Sequence, residues 1–130
     1  MTTFHSCCKS MLSGIHGELG ERLATEWLRE QGYQICDLNW RSGRYELDIV
    51  ATRFDTIHFV EVKLRDEESF VAPEQTLTPT KQRALRRAVA AYLSLHDTDL
   101  EPQIDLIAIT LDSEETPTLE YIPEAVISRW

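Results

Sequence analysis

Residues 45–63 read YELDIVATRFDTIHFVEVK, which is two apolar runs joined by the polar turn RFD. The runs are rich in β-branched residues, and the short connection predicts an antiparallel hairpin of two strands, Tyr45–Thr52 and Thr56–Lys63. Four charged residues nevertheless interrupt the two runs: Glu46, Asp48, Glu61 and Lys63. Because side chains alternate between the two faces of a strand, Glu61 and Lys63 share one face of the predicted sheet.

The position of the turn sets the register of this hairpin. If the chain turns about Phe54 and Asp55, Asp48 lies opposite Glu61, with Cβ atoms about 4.5–5.5 Å apart. Two negative charges at that distance destabilise the fold unless a cation lies between them. Two carboxylates with a lysine beside them are also what oxygen-ligated Mg²⁺ and a hydrolytic water require, so the pattern favours phosphodiester hydrolysis. The alternative is that Glu61 and Lys63 are a solvated pair on an edge strand.

The segments around the hairpin predict an α/β fold. Apolar residues at helical spacing predict a first helix over Gly17–Gln31, and Thr78 followed by Pro79 is typical of the start of a second helix that reaches His96. The apolar run IDLIAITL favours a buried central strand. Three further strands are predicted: Tyr33–Leu38, Gln103–Leu111 and Thr118–Ile122. The segment NWRSGR (39–44) is interpreted as a turn, and the order αβββαβ with a trailing strand predicts a mixed sheet flanked by helices.

Length and composition limit the class of protein. A chain of 130 residues with 42% hydrophobic and 27% charged residues is typical of one globular domain, which excludes disordered, collagen-like and coiled-coil classes. We expect residues 1–14 to form a loose leader and residues 15–130 to form the domain. Neither a membrane-spanning run nor a signal peptide is recognisable, so we expect a cytoplasmic protein without a membrane partner. Three cysteines are too few for a disulfide framework, and reduced thiols are expected.

Charge gives two opposing indications about a nucleic-acid partner. The net charge of −9 argues against one, because phosphate binding needs positive charge. Residues 76–96, however, carry four basic and no acidic side chains, and they include the predicted second helix. Lys81, Arg83 and Arg87 are therefore candidates for contacts with a phosphate backbone, and the alternative is an ordinary solvated helix face.

Three further residues have weaker signals. Glu21 lies at the edge of the apolar stripe of the first helix, where it either faces the site or is a glutamate favoured by the helix dipole. His58 is interpreted as structural, since the four histidines lack metal-ligand spacing. Asp105, at the start of the buried strand, is expected to cap or bond locally, with a role in a site as the alternative.

Six segments together resemble one family of bacterial proteins in order and spacing. They are GELGERLA (17–24), Asn39, YELDIVA (45–51), FVEVKLR (59–65), TPTKQRALRRAVAAYL (78–93) and IDLIAI (104–109). The chain therefore resembles the uncharacterised YraN-like family, which looks like a branch of the PD-(D/E)XK nuclease superfamily close to archaeal Holliday-junction resolvases. This resemblance implies a restriction-endonuclease-like core.

The resemblance also implies roles for individual residues. Asp48 matches the metal-binding aspartate, Glu61 and Lys63 match the E-x-K pair, and Glu21 and Lys81 match a glutamate and a lysine of the two helices. Two departures stand out. Tyr45 occupies a position where the family usually has glycine, and Gln103-Ile104 stands where it usually has Arg-Phe.

The leading hypothesis is a Mg²⁺- or Mn²⁺-dependent endonuclease that acts on DNA rather than RNA. Asp48 and Glu61 would be ligands, with Glu21 as an outer or second ligand and the carbonyl of Val62 as a further one, and Lys63 would position the water. The resemblance favours branched or single-stranded DNA and a homodimer. Two alternatives stay open: a non-catalytic module that binds nucleic acid or protein, and hydrolysis of a small molecule or RNA by the same site.

Overall fold

A computed structural model describes residues 13–68 and 72–127, without the side chains of residues 13–17 and 74. The elements are α1 (Ser13–Glu30), β1 (Gln34–Ser42), β2 (Tyr45–Arg53), β3 (Thr56–Asp66), a 3₁₀ turn (Pro73–Thr76), α2 (Pro79–Leu95), β4 (Glu101–Leu111) and β5 (Pro117–Val126). The five strands form one sheet in the order β1-β2-β3-β4-β5, in which only β3 and β4 are parallel. The predicted α/β fold is confirmed, and it is consistent with a restriction-endonuclease-like core.

The two helices cover opposite faces of the sheet. Helix α2 connects the parallel strands β3 and β4, as such a crossover requires. It begins where predicted, because the Thr78 side chain accepts a hydrogen bond from the Lys81 amide and Pro79 occupies the first turn. Five of the buried residues on the α2 face are Phe59, Leu85, Val89, Tyr92 and Leu106. Five on the α1 face are Ala24, Leu28, Ile49, Val60 and Ile107.

Element boundaries differ from the predictions at several places, and the largest differences are in α1, β1 and β5. Helix α1 begins at Ser13 and not at Gly17. Of the expected leader, residues 1–14, the first twelve lie outside the described residues and the last two belong to α1. The turn predicted over 39–44 is wrong except at Gly43 and Arg44, since β1 continues to Ser42. The polar residues there are held as strand by β2, with Trp40 paired to Leu47 and stacked edge-on against Tyr92. Strand β5 likewise continues past Ile122 to Val126.

No helix within the described ranges is both long enough and apolar enough to cross a membrane.

Replacement of Gly20 by alanine should stabilise the protein. Gly20 lies inside α1 against β3, where an added Cβ would lie 3.5 Å from Val62 Cγ1 and 3.6 Å from Leu64 Cβ, both ordinary contacts. Since glycine inside a helix costs about 0.5–1 kcal/mol relative to alanine, we expect the free energy of unfolding in urea to rise by about that amount. Gly32→Ala is the control, because Gly32 has a φ of +91° and its replacement should destabilise. A loss of stability in Gly20→Ala would contradict this packing of α1 on the sheet.

Candidate active site

The site lies where strands β2 and β3 separate. The two strands pair from Arg53–Thr56 to Ile49–Val60, which is the register that the sequence predicted. The pairing ends there, and the amide of Val62 donates instead to the carboxylate of Asp48, with an N–Oδ2 distance of 2.9 Å. A side chain thus takes the place of a main-chain acceptor, and Asp48 is fixed in the gap between the strands.

Glu61 converges with Asp48 in this gap. Glu61 is 7% exposed, and its carboxylate lies within hydrogen-bonding reach of Asp48. Burial, and then the negative charge of Asp48, raises the pKa of Glu61 to about 7, against the opposing effect of Lys81. The two acids therefore form a like-charge pair that holds less than two full negative charges near neutral pH.

Lys81 supplies the positive charge nearest to this pair. Its Nζ lies 3.1 Å from Oε2 of Glu61. Burial alone would lower the pKa of Lys81, but the ion pair with Glu61 outweighs it and raises that pKa, with help from Asp48. Lys81, a candidate for phosphate contacts from the sequence, thus lies in the first turn of α2 and contacts Glu61 on β3.

Glu21 approaches the gap from the opposite face of the sheet. It is half-buried on α1, and burial raises its pKa, as does the charge of Asp48. A hydrogen bond with the Asn39 side chain opposes both effects. Sequence reasoning gave Asn39 no role. Its φ of 53° lies in the left-handed region, which asparagine tolerates better than most residues.

Lys63 and Val62 lie next to Glu61 on β3. By alternation Lys63 shares the face of Glu61, but it is exposed, and its ammonium has no ion-pair or hydrogen-bond partner among the described residues. Val62 packs on the α1 side and uses its amide to hold Asp48. The roles of the Lys63 ammonium and the Val62 carbonyl stay predictions.

The other basic residues of α2 lie outside the acid pair. Arg83 is exposed, and its Nη2 donates to Oγ1 of Thr80 at 3.3 Å. Arg86 donates to the carbonyl of Ile127. Arg87 is exposed and has no such partner in the parts of the chain that are described. Lys81 therefore belongs to the acid pair, while Arg83 and Arg87 face solvent.

The donor set of the gap fits a hard divalent cation. Asp48 and Glu61 offer only oxygen ligands, and their mutual repulsion is what a cation would relieve. Within residues 13–68 and 72–127 no group of three His, Cys, Asp or Glu side chains is arranged to hold a metal ion. Mg²⁺ is commonly held by one or two carboxylates together with water and substrate phosphate, so two converging acids suffice.

A second polar cluster is buried on the α1 face and serves the fold. Asp105 is 0% exposed, and its carboxylate bonds to Nδ1 of His58 (2.7 Å), the Tyr121 hydroxyl (2.7 Å), Nε2 of Gln103 (2.8 Å) and the Glu124 amide (2.9 Å). These bonds join β3, β4 and β5, which agrees with the structural role predicted for His58. Only the bond from Gln103 is local in sequence, so the expectation that Asp105 caps or bonds locally is wrong for its other three partners. Gln103, noted from the sequence only as a departure, completes this cluster.

Comparison with known proteins gives one consistent result. The model of the "Uncharacterised protein family UPF0102" matches residues 20–109, a range that contains every acid and lysine of the site. The chain is 41% identical over 98 residues to a UPF0102 protein of Porphyromonas gingivalis, which covers 75% of this chain and 73% of the relative. It is 36% identical over 99 residues to one of Flavobacterium psychrophilum, with 76% and 83% covered. It is 39% identical over 113 residues to one of Trichlorobacter lovleyi, with 84% and 87% covered.

Proposed function

Because the chain belongs to UPF0102, the YraN-like family whose motifs it carries and whose description assigns no activity, we propose a function from the site: Mg²⁺-dependent endonucleolytic hydrolysis of phosphodiester bonds in DNA. The observation that carries the proposal is the convergence of Asp48 and Glu61 between β2 and β3, with Lys81 beside them. Two acids placed together in the partly buried gap between β2 and β3 repel each other, and this repulsion costs free energy. A site that binds a cation and a phosphate accounts for that cost.

Asp48 and Glu61 would hold the metal, with Glu21 as an outer ligand and the carbonyl of Val62 as a further one. A bound Mg²⁺ or Mn²⁺ would make a water more acidic and neutralise charge on the phosphate. The free ammonium of Lys63, on the same face as Glu61, orients the attacking water. Lys81 holds Glu61 in place and adds positive charge near the phosphate.

The DNA backbone would run along the exposed side of α2. Arg83 and Arg87 are one turn apart on that helix, and residues 76–96 contain no acid that would repel a phosphate. Screening over about 8–10 Å limits how far the acidic remainder of the chain reduces this local attraction. A homodimer would let two sites face two strands of a branched DNA.

A non-catalytic module that binds nucleic acid or protein is the second candidate. It is favoured by the net charge of −9 and by the ion pair in which Lys81 already neutralises Glu61. A lysine in that place stabilises the acid pair in part without a metal.

Metal addition and a cleavage panel distinguish these candidates. We expect Mg²⁺ or Mn²⁺ to raise the thermal midpoint of unfolding, with a stabilisation of about 2.7 kcal/mol at a hundredfold excess over Kd. We also expect metal-dependent cleavage in a panel of branched DNA, flaps, single strands, duplex and RNA, measured on denaturing gels. Cleavage of RNA alone would favour the alternative in which the same site hydrolyses RNA. No metal response and no cleavage would contradict the nuclease and favour the binding module.

A further inference from the structure

A pocket of about 180 Å³ lies between the β1–β2 turn and helix α2. Lys81 and Arg87 of α2 line it together with Arg44 from the turn and Tyr45 from the start of β2. Since the Lys81 ammonium also contacts Glu61, this side chain links the pocket to the acid pair.

The charge of this pocket suits an anion. Arg44 and Arg87 are exposed, and neither has a hydrogen-bond or ion-pair partner among the described residues. Glu46, an acid that also lines the pocket, has its Oε2 3.4 Å from Nε of Arg41, so its charge is already partly compensated. Free guanidinium groups can each donate two parallel hydrogen bonds to phosphate oxygens. The pocket therefore carries a local excess of positive charge, although the chain as a whole is acidic.

The remaining residues that line the pocket are apolar, and a phosphate group alone would gain nothing from contact with them. Ala84 and Leu85 of α2 face the pocket opposite Tyr45. Tyr45 is half-buried and packs against the core on the α2 face, which holds its ring in place. Nucleic-acid bases stack on aromatic rings whatever their sequence, because every base has a π face. One group that carries both a phosphate and an exposed base is an unpaired nucleotide.

We propose that this pocket binds one unpaired nucleotide of the substrate strand, adjacent to the phosphodiester that the acid pair acts on. Its phosphate lies between Arg44 and Arg87, and its base contacts Tyr45. The position relative to the cleaved bond rests on the proposed function. Because a base inside a duplex is stacked and paired and cannot enter, the pocket selects DNA that is single-stranded where it binds.

Binding of labelled DNA tests this selection apart from cleavage. The probes are a fluorescein-labelled oligodeoxynucleotide and the same strand annealed to its complement, and fluorescence anisotropy is measured with EDTA present so that no metal-dependent cleavage occurs. We expect the wild type to bind the single strand more tightly. Tyr45→Ala should weaken single-strand binding by about fivefold to a hundredfold and duplex binding little, and Tyr45→Phe should bind like the wild type.

Arginine variants provide a test that does not alter the core. Arg44→Gln and Arg87→Gln should each lower the preference for the single strand. Arg83→Gln is the matched control, since it removes the same charge from α2 outside the pocket and should weaken both probes alike. Equal binding of the two probes by the wild type, or equal weakening of both by Tyr45→Ala and Arg44→Gln, would overturn the inference even if Mg²⁺-dependent cleavage is found. If the wild type prefers the single strand, these residues account for the preference and no DNA is cleaved, the proposal for the pocket is supported and the proposal of a nuclease is refuted.

Discussion

Asp48→Asn should lower Mg²⁺-dependent cleavage by about 10²–10³-fold while the protein stays folded. The loss is expected because a neutral amide cannot replace a carboxylate as a ligand or in balancing charge at the phosphate, and removing one such interaction commonly costs that much in rate. The fold should persist because the asparagine Oδ1 can still accept the hydrogen bond from the Val62 amide. Initial rates on the best substrate of the cleavage panel give the measurement.

The stability of the same variant separates a metal site from a structural acid pair. With EDTA, Asp48→Asn should be at least as stable as the wild type, because the repulsion between Asp48 and Glu61 is removed. The rise in thermal midpoint on adding Mg²⁺ should disappear. Asp55→Asn is the control, since it removes one negative charge from the exposed turn between β2 and β3, at the other end of the hairpin. A variant of Asp48 that keeps the metal response or the wild-type cleavage rate would refute the assignment.

The hairpin that carries the acids was predictable, and its register with it. A turn about Phe54 and Asp55, together with the alternation of side chains, predicts the register in which Asp48 lies opposite Glu61, and the observed pairs from Arg53–Thr56 to Ile49–Val60 follow that register. The length of β1 was not predictable in the same way. Residues 39–42 are polar enough to suggest a turn, and only their pairing with β2, such as Trp40 with Leu47, makes them strand.

Within the site, the sequence identified the acids more reliably than their cation. Alternation places Lys63 on the face of Glu61, but it says nothing of the distance across to a helix. The cation in contact with Glu61 is Lys81, and this contact depends on how closely α2 packs on the sheet, which no local pattern encodes. Asn39 was missed for a similar reason, because its hydrogen bond to Glu21 joins β1 to α1 through a left-handed backbone.

Asp105→Ala should be the most destabilising of the substitutions considered. The carboxylate is fully buried and accepts four hydrogen bonds, so its removal leaves His58, Gln103 and Tyr121 without their acceptor. Breaking a buried charged cluster in this way costs about 3–5 kcal/mol, a large part of the 5–15 kcal/mol that stabilises an ordinary domain. Tyr121→Phe is the control, since it removes one donor and should cost about 1 kcal/mol. Urea unfolding at neutral pH measures both, and similar costs for the two variants would contradict the central role of Asp105.

The pH dependence of stability tests whether Asp105 is charged in the folded protein. Burial by itself would raise the pKa of Asp105, but the hydrogen bonds from His58, the Glu124 amide and Tyr121 outweigh it and lower that pKa below the ordinary 3.8. A carboxyl with a lowered pKa in the folded state adds stability that is present above its unfolded pKa and lost as the pH falls through its folded pKa. Asp105→Asn keeps the size of the side chain but does not titrate. The wild type should therefore lose more free energy of unfolding than this variant between about pH 5 and pH 2. Parallel curves over that range would mean that folding leaves the pKa of Asp105 unchanged, and a relative gain by the wild type at low pH would mean that Asp105 is neutral in the fold.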